Sequence, residues 1–132
     1  MPHVLLATDA DSVAEEVFAA LVDDTTTVSR VRAGVDVRPA VTALEPDLVV
    51  LDLQIGNMGG VATSIDLRHE AGAGRLPDTR ILLLLDRAVD VYLAQQADAD
   101  GWLVKPLDAF RLRRAVEMTL DGDTVTEAVP QG

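Results

Sequence analysis

Short apolar runs, each ending in a polar residue and separated by helical patterns, constrain this chain more than any other feature. Val4-Leu5-Leu6-Ala7-Thr8 is continuous, shows no polar alternation and ends at Asp9. Leu48 to Leu51 ends at Asp52, Ile81 to Leu85 at Asp86, and Trp102-Leu103-Val104 at Lys105. Such runs mark strands buried on both faces of a parallel sheet, because crossover helices cover both sides. Thr26 to Val31 is β-branched and alternating, as an edge strand is.

The intervening segments carry helical periods. Asp11 or Ser12 caps a first helix with Ala14, Val17, Phe18 and Leu21 on one face. Val35 to Leu44 makes a second, with Pro39 tolerable near its first turn. Val61 to Ala71 makes a third, with Val61, Ala62 and Ile65 facing inward and Arg68, His69 and Glu70 outward. A fourth, Ala88 to Ala97, places Val89, Leu93 and Ala97 on one stripe, and Asp108 caps a fifth whose Leu112, Val116 and Leu120 repeat every four residues. Strand and helix therefore alternate five times, which predicts an α/β fold with a parallel sheet, right-handed crossovers and helices on both faces. The domain is expected over residues 1–120. The Gly/Pro-rich loop Gly72 to Thr79 is expected to be mobile, and the aperiodic tail 121–132 disordered.

Composition narrows the chemistry. The chain has no Cys, which removes disulfides, thiolate metal sites and thiol nucleophiles and fits a reducing cytoplasm. No segment approaches the roughly 20 apolar residues of a membrane span, so membrane insertion is not expected. A formal net charge of -11 argues against nucleic-acid binding. Of the 11 basic residues Lys105 is the single lysine, so a function that needs an ammonium group has one candidate.

In doubly wound sheets the ligand site lies beyond the carboxyl ends of the strands, where strand order reverses. That singles out Asp9, Asp52, Leu85 with Asp86, and Lys105. Two carboxylates at neighbouring strand ends suit Mg²⁺, a carboxylate beside Mg²⁺ can attack phosphorus, and a lysine nearby can neutralise phosphoryl oxygens. The plainer alternative is that Asp9 and Asp52 only terminate strands and that Lys105 and Trp102 are a surface lysine and a core aromatic. His3 and His69 have no partner pattern and are read as surface residues.

Glu45-Pro46-Asp47-Leu48-Val49-Val50-Leu51-Asp52-Leu53 resembles the third strand of bacterial response-regulator receiver domains, and Ala97 to Leu107, with Trp102, Lys105 and Pro106, resembles their fifth. The resemblance covers almost the whole chain and is nearest to stand-alone, atypical receivers of actinobacteria, some of which work with little phosphorylation. It implies a flavodoxin/receiver-like sheet of five parallel strands in order 2-1-3-4-5 with five helices. It makes Asp52 the phosphoacceptor of a phosphorelay, Asp9, Asp52 and the Gln54 carbonyl the Mg²⁺ ligands, Lys105 the phosphoryl contact and Lys105-Pro106 a cis bond. Partners implied are a sensor histidine kinase or other phosphodonor and a downstream protein, with no DNA-binding output domain. A homodimer could use the fourth helix, fifth strand and fifth helix, with Arg111, Arg113 and Arg114 against Asp98 and Asp100 of another copy. No enzyme activity is implied beyond self-phosphorylation and autodephosphorylation.

Three departures from the family pattern qualify this. Thr8 replaces the first of two acidic residues, so Mg²⁺ should bind weakly. Leu85 stands where a hydroxyl residue triggers the switch, although its aromatic partner remains as Trp102. The loop Gln54 to Gly60 is glycine-rich and expected to be flexible. Two readings therefore stand beside the phosphorylated receiver. One is an interaction module that needs no phosphorylation. The other is a haloacid-dehalogenase-like phosphatase using Asp9, because Asp9-Ala10-Asp11-Ser12-Val13 resembles that nucleophile motif, though only Asp108, Glu117 and the acidic tail could supply the later acids. A flavin carrier is disfavoured by the acidic loop after the first strand.

Overall fold

In the computed structural model, residues 2–23, 25–122 and 125–126 are described. The strands are β1 His3–Ala7, β2 Thr27–Val31, β3 Leu48–Asp52, β4 Arg80–Leu85, β5 Gly101–Val104 and β6 Val125–Thr126. The helices are α1 Asp11–Leu21, α2 Val37–Leu44, α3 Gly60–Gly72, α4 Val91–Gln96 and α5 Ala109–Leu120. Single 3-10 turns, Gly34–Asp36 and Ala88–Asp90, lead into α2 and α4. All strand pairs are parallel, in the order β2-β1-β3-β4-β5-β6. The expected order 2-1-3-4-5 is thus present, and β6 pairs with the free edge of β5. The tail expected to be disordered contributes that strand, and residues 127–132 lie outside the described residues.

The apolar runs became the central strands because each side of the sheet is covered. Leu5, Val49, Leu51, Ile81, Leu83, Leu85, Trp102 and Val104 pack with Val37, Val41, Leu67 and Ala94 of α2, α3 and α4. The intervening Val4, Leu6, Leu48, Val50, Leu82, Leu84 and Leu103 pack with Val17, Leu112 and Val116 of α1 and α5. Every one of these strand residues is buried, so period-two alternation places apolar groups on both faces. β2 is an edge strand and none of its residues is fully buried.

Two helix faces differ from expectation. The inward face of α3 is Thr63, Ser64, Leu67 and Glu70, whereas Ala62 and Ile65 are exposed. The polar members are tolerated because each is bonded: Ser64 Oγ donates to Ala97 O (2.8 Å), Thr63 Oγ1 to Met58 O (3.2 Å), and Glu70 accepts from Arg75. On α4 and its leading turn the inward residues are Asp90, Ala94 and Ala97, which leaves Val89, Tyr92 and Leu93 outward. Asp90 is satisfied by the Arg87 backbone and guanidinium. The loop 72–79 is anchored, because Leu76 is buried, Arg75 binds Glu70 and Asp78 binds Arg68.

Helix starts follow local chemistry only in part. Asp108 caps α5 as expected, its Oδ1 accepting from the Phe110 and Arg111 amides. At α1 the N-cap is Ala10, without a side-chain cap, and Asp11 instead pairs with Arg30 and Arg32 at 3.0 Å. Pro39 sits in the first turn of α2, where its missing N–H costs nothing. His3 is partly buried, with Nε2 at 2.7 Å from Ser29 Oγ.

Candidate phosphoacceptor site

Parallel register brings the carboxyl ends of β1, β3, β4 and β5 together. Ala7 pairs with Leu51, Asp52 with Leu84, and Leu85 with Val104. Beyond the strands, Lys105 N still donates to Leu85 O (2.8 Å), so the alternation continues by one residue. Thr8, Asp52, Asp86 and Lys105 then share the parity of Leu6, Val50, Leu84 and Leu103, the α1/α5 side. Leu85 has the opposite parity.

Asp52 is 2% exposed and its carboxylate is fully engaged. Oδ1 accepts from Lys105 Nζ at 2.7 Å and from the Gln54 amide at 3.3 Å, and Oδ2 accepts from Thr8 Oγ1 at 2.7 Å. Lys105 Nζ also donates to Asp86 Oδ1 at 3.0 Å. Burial pulls the Lys105 ammonium down, but its hydrogen bonds to Asp52 and Asp86 outweigh that, and its pKa is raised above the ordinary lysine value. Asp9 is exposed, and its Oδ2 accepts from Gly56 N at 3.0 Å, tying the end of β1 to the loop after β3.

That loop is held more firmly than its glycines suggest. Gly34 N donates to Gly56 O and Val35 N to Asn57 O, strapping it to the turn before α2. Met58 has φ +80°, and a Cβ on Gly34 would lie 1.7 Å from Met58 O, so only glycine permits this approach. Gly60 has a similar role at the start of α3, where a Cβ would fall 2.8 Å from Asp52 O.

The expected site residues Thr8, Asp9, Asp52, Gln54 and Lys105 are therefore gathered at one place. Leu85 is fully buried among the residues covered by α2 to α4, together with Trp102. Trp102 is buried and its Nε1 has no hydrogen-bond partner, and leucine can supply none. The Lys105-Pro106 bond is cis, as expected. Asp11 does not join Asp9 and Asp52: it is held by two guanidiniums, which lower its pKa, Arg30 first and then Arg32. The residue whose role sequence reading left unassigned is Asp86, although its position after β4 had marked it.

The donors present suit Mg²⁺, which usually takes one or two carboxylates and keeps several waters. The Asp9 and Asp52 carboxylates with the Gln54 carbonyl are hard oxygens on adjacent segments. No cluster of three or more His, Cys, Asp or Glu able to hold a metal occurs among the described residues, so such an ion would rely on this small set and water.

Comparison with known proteins decides the lineage. The response regulator receiver domain pattern matches residues 4–117. The chain belongs to the response-regulator receiver family. It is 31% identical over 83 residues to the nitrate/nitrite response regulator NarL of Escherichia coli, covering 63% of this chain and 37% of that protein. It is 31% identical over 129 residues to the response regulator PmrA of Pseudomonas aeruginosa, covering 98% and 57%. The chain thus spans well under two thirds of these relatives. Among solved structures, the chemotaxis response regulator CheY4 of Vibrio cholerae superposes with a TM-score of 0.79 at 22% identity, covering 90% of this chain and 98% of that one. A response regulator from Chloroflexus aurantiacus gives 0.80 at 24%, covering 92% and 99%. This receiver is a component of two-component signalling, and no helix among its described residues is long and apolar enough to cross a membrane.

Proposed function

We propose that this receiver accepts a phosphoryl group on Asp52 from a sensor histidine kinase or a small phosphodonor, and signals through protein contacts. The observation that carries the reading is the buried Asp52 carboxylate held 2.7 Å from the chain's one lysine at the carboxyl edge of the sheet. In the transfer, an Asp52 oxygen forms a bond to phosphorus while the bond from phosphorus to the donor breaks, and the donor leaves with that electron pair. Lys105 would then move its hydrogen bond from Asp52 to the phosphoryl oxygens and offset their charge. Asp9, Asp52 and the Gln54 carbonyl would hold Mg²⁺, which supplies further charge neutralisation when bound.

The face made by α4, β5 and α5 is the proposed contact surface. It carries exposed apolar groups that nothing in the fold covers: Val89 at 71%, Tyr92 at 64% and Phe110 at 74%. The charge pairing expected for a dimer there is weakened, because Asp100 already binds Arg68 at 2.6 Å and Arg113 binds Ala20 O within the same chain.

Incubation with acetyl phosphate and Mg²⁺ followed by intact-mass measurement tests the proposal. A phosphoryl adduct that disappears in Asp52→Asn is expected. A second reading, binding without phosphorylation, is favoured by Leu85 and by the donors on both Asp52 oxygens. Absence of any adduct, with partner binding unchanged in Asp52→Asn, would establish that reading instead.

A further inference from the structure

Asp86 stands at a position that the phosphoacceptor chemistry does not require. Its Oδ1 takes a hydrogen bond from Lys105 Nζ at 3.0 Å, and its Oδ2 is buried without a hydrogen-bond partner. The side chain is 32% exposed, so the group lines the mouth of the site. Two carboxylate oxygens within hydrogen-bond reach of a single nitrogen lie close together, so Asp86 adds negative charge beside Asp52. It forms no metal-binding cluster with Asp9 and Asp52. An aspartyl phosphate would bring about two further negative charges into this space, and Lys105 is the only ammonium able to meet them.

Resting on the reading of Asp52 as phosphoacceptor, we propose that Asp86 is a positioning residue that competes for Lys105 and slows phosphoryl transfer to Asp52. The competition follows from the geometry. To reach a phosphoryl group, Lys105 must loosen its hold on Asp86, and the loss of that 3.0 Å hydrogen bond adds to the barrier. The parity of the strands makes this specific to residue 86. Residue 85 points to the opposite side of the sheet, into the core that contains Trp102.

The test is the initial rate of Asp52 labelling by acetyl phosphate with Mg²⁺, followed by intact mass, in wild type, Asp86→Asn, Asp86→Ala and Asp86→Glu. Removing the charge should raise the rate about three- to tenfold, the scale of one partly exposed charged hydrogen bond. Asp86→Asn should match Asp86→Ala, because charge rather than bulk is responsible, and Asp86→Glu should return the rate toward wild type. In a Lys105→Met background, Asp86→Asn should change the rate less than twofold. A labelled wild type whose rate Asp86→Asn leaves equal or lower overturns the proposal while preserving the phosphoacceptor reading. So does a gain that persists without Lys105, since that is direct repulsion of the anion by Asp86 rather than competition for the lysine. Absence of label in every variant, Asp86→Asn included, overturns both.

Discussion

Replacing Lys105 by Met isolates the interaction on which the site is built. Methionine keeps most of the apolar stem, so packing changes little, but Asp52 is left as a buried carboxylate without its ammonium. Breaking a fully buried ion pair from one side costs about 3 to 5 kcal/mol. Here the cost is smaller for two structural reasons. Lys105 is one-fifth exposed, and Asp52 keeps the Thr8 hydroxyl at 2.7 Å and the Gln54 amide at 3.3 Å. Asp86 contributes little, because at 32% exposure it can rehydrate once released. A loss of about 2 kcal/mol remains, which moves a urea midpoint down by roughly 1 M for a domain of this size. The double variant Asp52→Asn/Lys105→Met should recover much of that loss, since no unpaired buried charge is left, and the cycle should be strongly non-additive. A Lys105→Met protein within about 0.5 kcal/mol of wild type, or two substitutions that simply add, would refute the idea that Asp52 depends on Lys105.

Gly34→Ala should cost about 3 kcal/mol in urea denaturation, because its Cβ would overlap Met58 O at 1.7 Å and the strap across the β3 to α3 loop must give way; unchanged stability would show that the loop yields freely. Glu70 has its pKa lowered, chiefly by the Arg75 hydrogen bond and further by Arg38. A depressed carboxylate stabilises above its unfolded pKa, near 4.3, and loses that contribution as pH falls through the folded value. Wild type should therefore lose stability more steeply than Glu70→Gln below about pH 5, and superimposable pH profiles would count against the pairing. Thr8→Asp places a second carboxylate beside Asp52. The melting temperature without Mg²⁺ should fall by about 4 °C and Mg²⁺ affinity, read by titration calorimetry, should rise about tenfold; equal affinity would mean that residue 8 does not face the ion.

The strands were legible because a strand covered on both sides has no polar alternation to hide it, as in Leu48 to Leu51 and Ile81 to Leu85, whereas the order of the sheet came from the resemblance to receiver domains. The same logic failed on α3 and α4. A hydrophobicity pattern treats Ser64 and Glu70 as solvent-facing, yet hydrogen bonds to Ala97 O and Arg75 make them inward residues. Asp86 was visible as a strand-end residue, but its partner lies 19 positions away. Only the β4 to β5 register, with Leu85 opposite Val104, reveals that residue 86 rather than 85 turns toward Lys105.

The β1 to β3 register, with Ala7 opposite Leu51, in turn explains how the site tolerates its unusual residue at position 8. A second acid at position 8 would repel Asp52 and call for a cation, whereas the Thr8 hydroxyl donates to Asp52 Oδ2 and accepts from Ala10 N. Asp52 thus has donors on both oxygens from the chain itself, and the resting site is stable without added charge. The same saturation reduces nucleophilicity, because lone pairs committed to Lys105, Gln54 and Thr8 are less free to attack phosphorus. On the proposed phosphoacceptor reading, activation amounts to an exchange of partners in which Lys105 leaves both Asp52 and Asp86 for the incoming phosphoryl group. On that reading Leu85 offers no hydroxyl through which the movement could draw on Trp102, and Lys105 with its two carboxylates would carry the chemical response.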